Sequence, residues 1–163
     1  MIYVSIYLIA IVLANLSVLY FGPSAVYVNA FLFIGLDLTS RDKLHEAWRG
    51  NNLFLKMFFL VISGSLLSYL LNRDVYQIAI ASTIAFGLAA ITDSIVYQLL
   101  SNRSKMIRIN GSNVPSALID SLVFPTIAFG SFSVVIVIGQ FVAKVFGGFV
   151  WSLVIKQIER ARE

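Results

Sequence analysis

Cysteine is absent from the 163-residue sequence, and histidine occurs once, at His45. Without cysteine, the chain can form no disulfide, no thiolate metal site and no cysteine nucleophile. A single histidine argues against a metal centre built from several imidazoles. Charged residues make up only 12% of the chain, whereas soluble domains carry about 25%. We therefore expect neither a disulfide scaffold nor an ordinary soluble domain, and no bound metal or cofactor.

Apolar residues make up 59% of the chain. Apolar runs of roughly 18 or more residues are typical of membrane-spanning helices. Six segments reach or approach that length: 2–21, 25–38, 53–71, 75–100, 114–130 and 131–155. The pattern predicts an all-α integral membrane protein, a bundle of six transmembrane helices that forms a single domain over residues 1–163.

The second and fifth segments are short for a full span. Irregular backbone inside a bilayer is tolerated only where it is buried in protein or lines a cavity. Pro125 and Gly130 make the fifth segment the better candidate for a broken helix. The first segment lacks the basic leader and the small-residue cleavage site of a secretory signal, so we expect it to be retained.

Basic residues are distributed unevenly between the connections. Ten of the twelve flank the second-to-third or fourth-to-fifth connection or follow the sixth segment: Arg41, Lys43, Arg49, Lys56, Arg103, Lys105, Arg108, Lys156, Arg160 and Arg162. Arg73 alone lies in the other connections. By the positive-inside rule this asymmetry predicts a multi-pass protein of the cell inner (cytoplasmic) membrane with both termini in the cytoplasm. We read the net charge of +4 as this topology signal, not as a nucleic-acid-binding surface.

Three aspartates lie in or at the edge of apolar segments: Asp37, Asp93 and Asp120. A carboxylate near the bilayer centre costs about 2.5–3.5 kcal/mol on insertion scales, so it usually faces the bundle interior or a cavity. Their similar predicted depth favours one acidic layer that faces one cavity. The alternative is that each caps a helix or pairs with a basic residue. Lys144, inside the sixth segment, is expected either to snorkel or to pair with such an acid.

Other polar and aromatic residues complete the intramembrane set. Asn29 lies two turns before Asp37 and is the amide most worth following, whereas the remaining amides and hydroxyls are expected to form interhelical hydrogen bonds. Tyrosine and tryptophan residues are expected to form interfacial belts: Tyr3, Tyr7, Tyr20, Tyr27, Tyr69 and Trp151. A short pattern also recurs, as "TDSIVY" at 92–97 and "IDSLVF" at 119–124, a weak internal repeat of a kind found in transporters.

Three stretches share an order and spacing with a known family. They are "NAFLFIGLDLTSRDKLHEAWRG" (29–50), "ITDSIVYQLLSNRSK" (91–105) and "SALIDSLVFPTIAFG" (116–130). Together they resemble the bacterial queuosine-precursor transporters, also called the putative vitamin uptake transporter (VUT) family. The resemblance implies a six-helix inner-membrane carrier for 7-deazaguanines such as preQ0 or preQ1. It places the family's aspartates at Asp37, Asp93 and Asp120.

The chemistry of such a ligand fits these residues. A guanine-like base presents adjacent N1–H and exocyclic NH₂ donors, and one carboxylate accepts both in a charge-assisted contact. The flat ring needs an aromatic slot, and stacking contributes about 1–3 kcal/mol per base. We therefore expect Asp37, Asp93, Asp120, Asn29, Ser121 and Phe124 to bind the substrate. Phe86, Phe129 and Tyr97 are further candidates for the aromatic slot.

Three other functions remain open at this stage. A substrate-binding subunit of a multi-component, ECF-like vitamin or nucleobase transporter would also consist of six short apolar helices. Paired aspartates could support intramembrane acid–base catalysis, but no known protease signature accompanies them, so we predict no enzyme. A purely structural membrane protein would not need three aspartates at one depth. The expected partners are the lipid bilayer and a small nucleobase-like molecule, and the short chain is compatible with a homodimer.

Overall fold

The protein is described by a computed structural model that covers residues 2–48 and 52–160. Arg49 and Arg162, which contribute to the basic asymmetry, lie outside the described residues. The described chain is helical throughout and contains seven α-helices: α1 Ile2–Phe21, α2 Val26–Asn29, α3 Gly35–Ala47, α4 Leu53–Leu71, α5 Tyr76–Leu99, α6 Lys105–Phe129 and α7 Val134–Arg160. A π-helical turn, Ala30–Ile34, joins α2 to α3 without a break.

The chain reverses after α1 at Gly22, whose φ of +61° is readily adopted only by glycine. Two contacts across the turn fix the hairpin. Ser17 Oγ donates to Asn29 Oδ1 at 2.9 Å, and Asn29 Nδ2 donates to the Ala14 carbonyl at 3.2 Å. These bonds lock the end of α1 against the start of the next helical stretch.

The second helical stretch is longer than expected. We predicted that it ends at Leu38, but helix continues to Ala47. The polar residues after Leu38 had indicated a loop. They remain helical because their side chains are directed inward: Thr39, Ser40 and Arg41 are all buried. Thr39 Oγ1 also donates to the Gly35 carbonyl one turn earlier, at 3.0 Å. Asp37 is therefore inside a continuous helix and does not end one.

The expectation that the fifth segment is broken is wrong. Helix α6 includes both Pro115 and Pro125 and ends only at Gly130, which adopts the left-handed conformation at φ +64°. Proline is accommodated in such helices because neighbouring helices and local adjustments satisfy the freed carbonyls. The helical irregularity is instead the π-turn Ala30–Ile34 in the second stretch.

The helices alternate between two ends of the bundle. At the first end Asn72 Nδ2 donates to the Tyr20 hydroxyl, and Gln77 Nε2 donates to the Ile127 carbonyl. We call this the turn end, because it carries the short connections 22–25, 72–75 and 130–133. The opposite end, the loop end, carries the connections near 48–52 and 100–104. Arg41 and Arg108 therefore belong to the same half of the bundle, as the charge pattern predicts.

The distribution of polarity is inverted relative to a soluble domain. Large apolar side chains cover the outside of the bundle, including Leu70, Val135 and Phe146 at 59–74% exposure. The interior holds buried amides, hydroxyls and charges, among them Asn15, Ser68 and Gln140. In water this arrangement would leave a large apolar surface exposed to solvent. In a bilayer the apolar surface contacts lipid, and the polar groups are satisfied inside the bundle.

Three stretches are long and apolar enough to cross a membrane: Ile2–Arg41, Arg73–Leu99 and Val134–Ile158. Leu55–Leu71 is a shorter apolar helix. The chain is thus an all-α, multi-pass membrane protein. The count of six crossings and the cytoplasmic placement of both termini stay predictions.

Candidate functional site

A buried ion pair joins α6 to α7. Lys144 Nζ lies 2.7 Å from Asp120 Oδ2, a charge-assisted hydrogen-bond distance, and both side chains are less than 10% exposed. Lys144 Nζ also donates to Gln140 Oε1 at 3.1 Å, one turn back along α7. Of the two expectations for Lys144, pairing with an acid inside the bundle is the one that the structure confirms.

The pair borders a small cavity of about 30 Å³. Its lining comes from α1, α2, the π-turn, α5, α6 and α7: Ala14, Asn15, Val18, Val26, Asn29, Ala30, Ile34, Ser82, Phe86, Asp120, Phe124, Gln140 and Lys144. All of these except Phe124 are buried. We call it the Asp120 cavity. It has room for about two water molecules, whereas small-molecule sites measure roughly 300–1,000 Å³. The structure is therefore a closed form of the site.

Amides and hydroxyls hold the helices around this cavity in register. Asn15 Nδ2 donates to Ser68 Oγ at 3.0 Å, and Ser82 Oγ donates to Asn15 Oδ1. Asn15 thus links α1, α4 and α5 through one amide. Thr83 Oγ1 donates to Ser65 Oγ at 2.6 Å on the neighbouring turn. The expected interhelical role of these polar residues is confirmed.

A second charge cluster lies toward the loop end. Arg41 Nη2 is 3.9 Å from Asp93 Oδ1 and donates to Asn113 Oδ1 at 3.2 Å and to Ser116 Oγ at 3.4 Å. Arg41 and Asp93 are both nearly inaccessible. The cluster ties α3 to α5 and α6. Arg41 was expected to flank a loop, but the extension of α3 carries it into the bundle.

Tyr7 connects the two charged regions. It was expected in an interfacial belt, but it is only 1% exposed and packs in the core with Ile11, Ile34 and Phe86. Its hydroxyl lies within electrostatic range of Asp37, Arg41 and Asp120. Asp37 itself is buried on α3, one turn before Arg41. Charged groups of two helices, α3 and α6, thus act on one buried phenol.

Three of the six expected substrate-binding residues line the Asp120 cavity: Asp120, Asn29 and Phe124. Among the described residues that line it, Asp37, Asp93 and Ser121 do not appear. Ser121 is fully buried, and its hydroxyl has no hydrogen-bond partner within the described part of the chain. In this structure α3 brings Arg41 between α5 and α6, where it lies 3.9 Å from Asp93. That the three aspartates face one cavity stays a prediction.

Of the aromatic residues expected to stack on the base, some line the Asp120 cavity and others do not. Phe86 and Phe124 line the cavity, and Phe124 packs edge-to-face on Phe129 with ring centroids 6.2 Å apart. Tyr97 lies elsewhere, with the Arg108 guanidinium stacked 4.1 Å above its ring. Phe124 and Phe86 therefore lie where a base bound in the Asp120 cavity could stack on them, whereas Tyr97 does not line that cavity.

A groove of about 520 Å³ lies between α4 and α5. Most of its lining faces outward, including Leu66, Tyr69 and Ile80. Such a surface is what lipid chains cover. We place the candidate site at the small Asp120 cavity because a buried carboxylate, an ammonium and three amides line it.

The family model described as "Putative vitamin uptake transporter" matches residues 2–157. The chain belongs to this family. No curated protein and no solved structure matches it.

Membership in the vitamin uptake transporter family agrees with the architecture. The matched residues contain the first two candidate spans, all but the last residue of the third, and the Arg41–Asp93 and Lys144–Asp120 pairs. The family is one of transporters, which favours transport over intramembrane catalysis. As a member of it, this protein resides in a lipid bilayer and binds a small solute.

Gln140, Asn15 and Ser82 are the cavity residues that sequence reasoning did not single out for the site. Asn15 and Ser82 were recognised only as intramembrane polar residues. Gln140 follows Gly139 in an apolar run. An amide within an apolar run was the sequence feature that could have identified it as a buried polar residue. Its function in this vitamin uptake transporter is to hold the Lys144 ammonium beside Asp120.

Proposed function

We propose that this protein carries 7-deazaguanine precursors of queuosine, such as preQ0 or preQ1, across the cell inner membrane. The observation that supports this most is the buried Asp120 carboxylate on the wall of a small cavity lined by buried residues. A carboxylate is costly to bury, and this one borders the space that a ligand would enter. The three stretches that resemble queuosine-precursor transporters supply the identity of the ligand.

Asp120 is the primary recognition group in this proposal. Its two oxygens accept the N1–H and exocyclic NH₂ of the base, and each charge-assisted bond is worth about 1.5–3 kcal/mol. The ring lies against Phe124 and Phe86. Asn29 offers an amide on the opposite wall, once its bonds to Ser17 and Ala14 rearrange. Asp37, Asp93 and Ser121 are assigned no direct contact with the substrate.

Binding in this proposal requires the helices around Asp120 to separate. A cavity of about 30 Å³ cannot hold a bicyclic base. A closed, empty form is one of the states that a carrier must visit between loading cycles. The chain crosses the membrane six times in the proposed arrangement, with both termini in the cytoplasm, because the basic residues concentrate at the loop end.

The test is ligand binding to the purified protein. We expect preQ0, preQ1 and guanine to bind and adenine to bind far more weakly, since adenine lacks the adjacent pair of donors. Asp120→Asn should weaken preQ1 binding at least about tenfold. The reason is that the neutral amide has one acceptor oxygen and an NH₂ donor in place of two negatively charged acceptor oxygens. Asp74→Asn, at an exposed aspartate in the 72–75 turn, is the matched control and should bind like the wild type. Unchanged binding by Asp120→Asn would refute the assignment.

A further inference from the structure

Lys144 lines two cavities. One is the Asp120 cavity. The other measures about 190 Å³ and is lined by Leu38, Thr39, Asn110, Asn113, Val114, Ala117, Lys144, Val145, Gly148, Phe149 and Ser152. Among the described residues, Lys144 alone is common to the two linings. Its side chain therefore stands between two volumes.

The two cavities follow each other along the helix axes. On α6, Asp120 and Phe124 line the first cavity, and Asn113 and Ala117, nearer the loop end, line the second. On α7 the order is Gln140, then Lys144, then Gly148 toward the loop end. All helices that contribute to both cavities give the same order.

The lining of the second cavity includes exposed residues, whereas the lining of the first is buried except for Phe124. Asn110, Phe149 and Ser152 in the second lining are exposed. Polar groups, including Asn113 and Thr39, continue from these exposed residues inward toward Lys144. The second cavity thus extends from exposed residues of α6 and α7 to the Lys144 side of the ion pair.

We propose that the Lys144 ammonium is a displaceable gate between these cavities. Paired with Asp120, it closes the passage between them and occupies the carboxylate that a substrate would use. This inference rests on the proposed carrier function. A solute enters the Asp120 cavity from the loop end only when the Lys144 side chain swings away from Asp120, and its own N–H donors or ammonium then replace the lysine on the carboxylate.

Electrostatics explains why a lysine serves as the gate. A carrier returns empty as well as loaded, and an unpaired carboxylate in the bilayer is costly. Lys144 neutralises Asp120 in the empty state. Gln140 Oε1, one turn away, holds the ammonium in place without adding charge, so the lysine can leave when a donor-rich ligand arrives.

The test uses the absence of native cysteine. Single reporter cysteines are placed at Ala30, in the Asp120 cavity, and at Ala117, in the second cavity. Each purified protein is treated with 2-aminoethyl methanethiosulfonate, and the labelling rate is measured by mass spectrometry. We expect Ala30→Cys to react slowly when Lys144 is present and at least tenfold faster with Lys144→Ala. Lys144→Arg should retain slow labelling, and Ala117→Cys should react at one rate in all backgrounds.

A second variant guards against misfolding. Lys144→Ala leaves the buried Asp120 carboxylate without its cation, which could destabilise the protein. The double variant Asp120→Asn/Lys144→Ala removes both charges and avoids this problem. It should also expose the Ala30→Cys thiol to the reagent. Equal Ala30→Cys labelling with and without Lys144, or rapid labelling while Lys144 is in place, would overturn the gate. Because the experiment contains no 7-deazaguanine, its outcome is independent of the substrate assignment.

Discussion

At the residue scale, the interior is organised by two ion pairs of different geometry. Lys144 lies 2.7 Å from Asp120, whereas Arg41 lies 3.9 Å from Asp93 and takes additional hydrogen-bond partners. The first pair borders a cavity, whereas the second is packed between three helices. We therefore propose that Asp120 binds the substrate and that Asp93 stabilises the bundle.

This assignment predicts separate phenotypes for two aspartates. Asp93→Asn removes the countercharge from the buried Arg41 guanidinium, and breaking a buried pair costs about 3 kcal/mol. We expect a lower thermal unfolding temperature in detergent, while the folded fraction still binds preQ1 with wild-type affinity. Asp74→Asn is the exposed control. A stable Asp93→Asn protein that has lost binding would instead place Asp93 in the substrate site.

The sequence could identify these buried charges but not their partners. Asp120 and Lys144 each interrupt an apolar run, which is a strong local signal. Their pairing depends on how α6 and α7 rotate against each other, and no local pattern specifies that. Arg41 was misplaced because a polar stretch after an apolar one usually indicates a loop, and only tertiary contacts reveal that α3 continues.

At the element scale, long and uniformly apolar helices were predicted most accurately. Segments 2–21 and 53–71 agree with the observed α1 and α4. Helix α6 begins at Lys105, whereas the predicted segment began at 114. The prediction started too late because Asn110, Gly111 and Asn113 indicate a turn when the sequence is read locally. In the structure this stretch packs against α5, where small buried residues such as Ser112 and Ser116 allow close approach. The π-turn has no recognisable sequence signal.

The π-turn and α3 cross α7 closely at Gly35 and Gly147. A methyl group on Gly35 would lie 2.6 Å from the Gly147 carbonyl carbon, and one on Gly147 would collide with the Phe31 carbonyl oxygen. Neither neighbour is a flexible side-chain end, so the backbone would have to move. This crossing supports the wall of the Asp120 cavity formed by Ala30 and Ile34.

Gly147→Ala should therefore destabilise the protein by about 1–3 kcal/mol, the usual cost of overpacking. Gly87→Ala is the matched control, because a methyl group there meets no atom of the described residues within 4 Å and alanine favours helix. Thermal unfolding in detergent measures both. If Gly147→Ala unfolds at the same temperature as Gly87→Ala, the crossing is looser than the structure indicates.

At the scale of the whole molecule, the chain places apolar side chains outside and polar groups inside, around a small cavity. That inversion follows from composition, and the sequence predicted it together with the membrane class. The volume of the cavity and its separation from a second cavity could not be predicted, since both depend on the relative positions of six helical stretches. A carrier that works alone and a binding subunit that needs an ATPase partner would share this architecture.

Reconstitution of the purified chain alone decides between them and tests the central proposal most directly. Proteoliposomes are loaded with unlabelled preQ1, and the entry of labelled preQ1 is followed by exchange, which needs no external energy source. We expect saturable exchange by the wild type and by Asp74→Asn, and at least about tenfold slower exchange by Asp120→Asn at equal incorporation. Exchange no faster than in protein-free liposomes, or equal exchange by Asp120→Asn and the wild type, would contradict a self-sufficient carrier that recognises its substrate through Asp120.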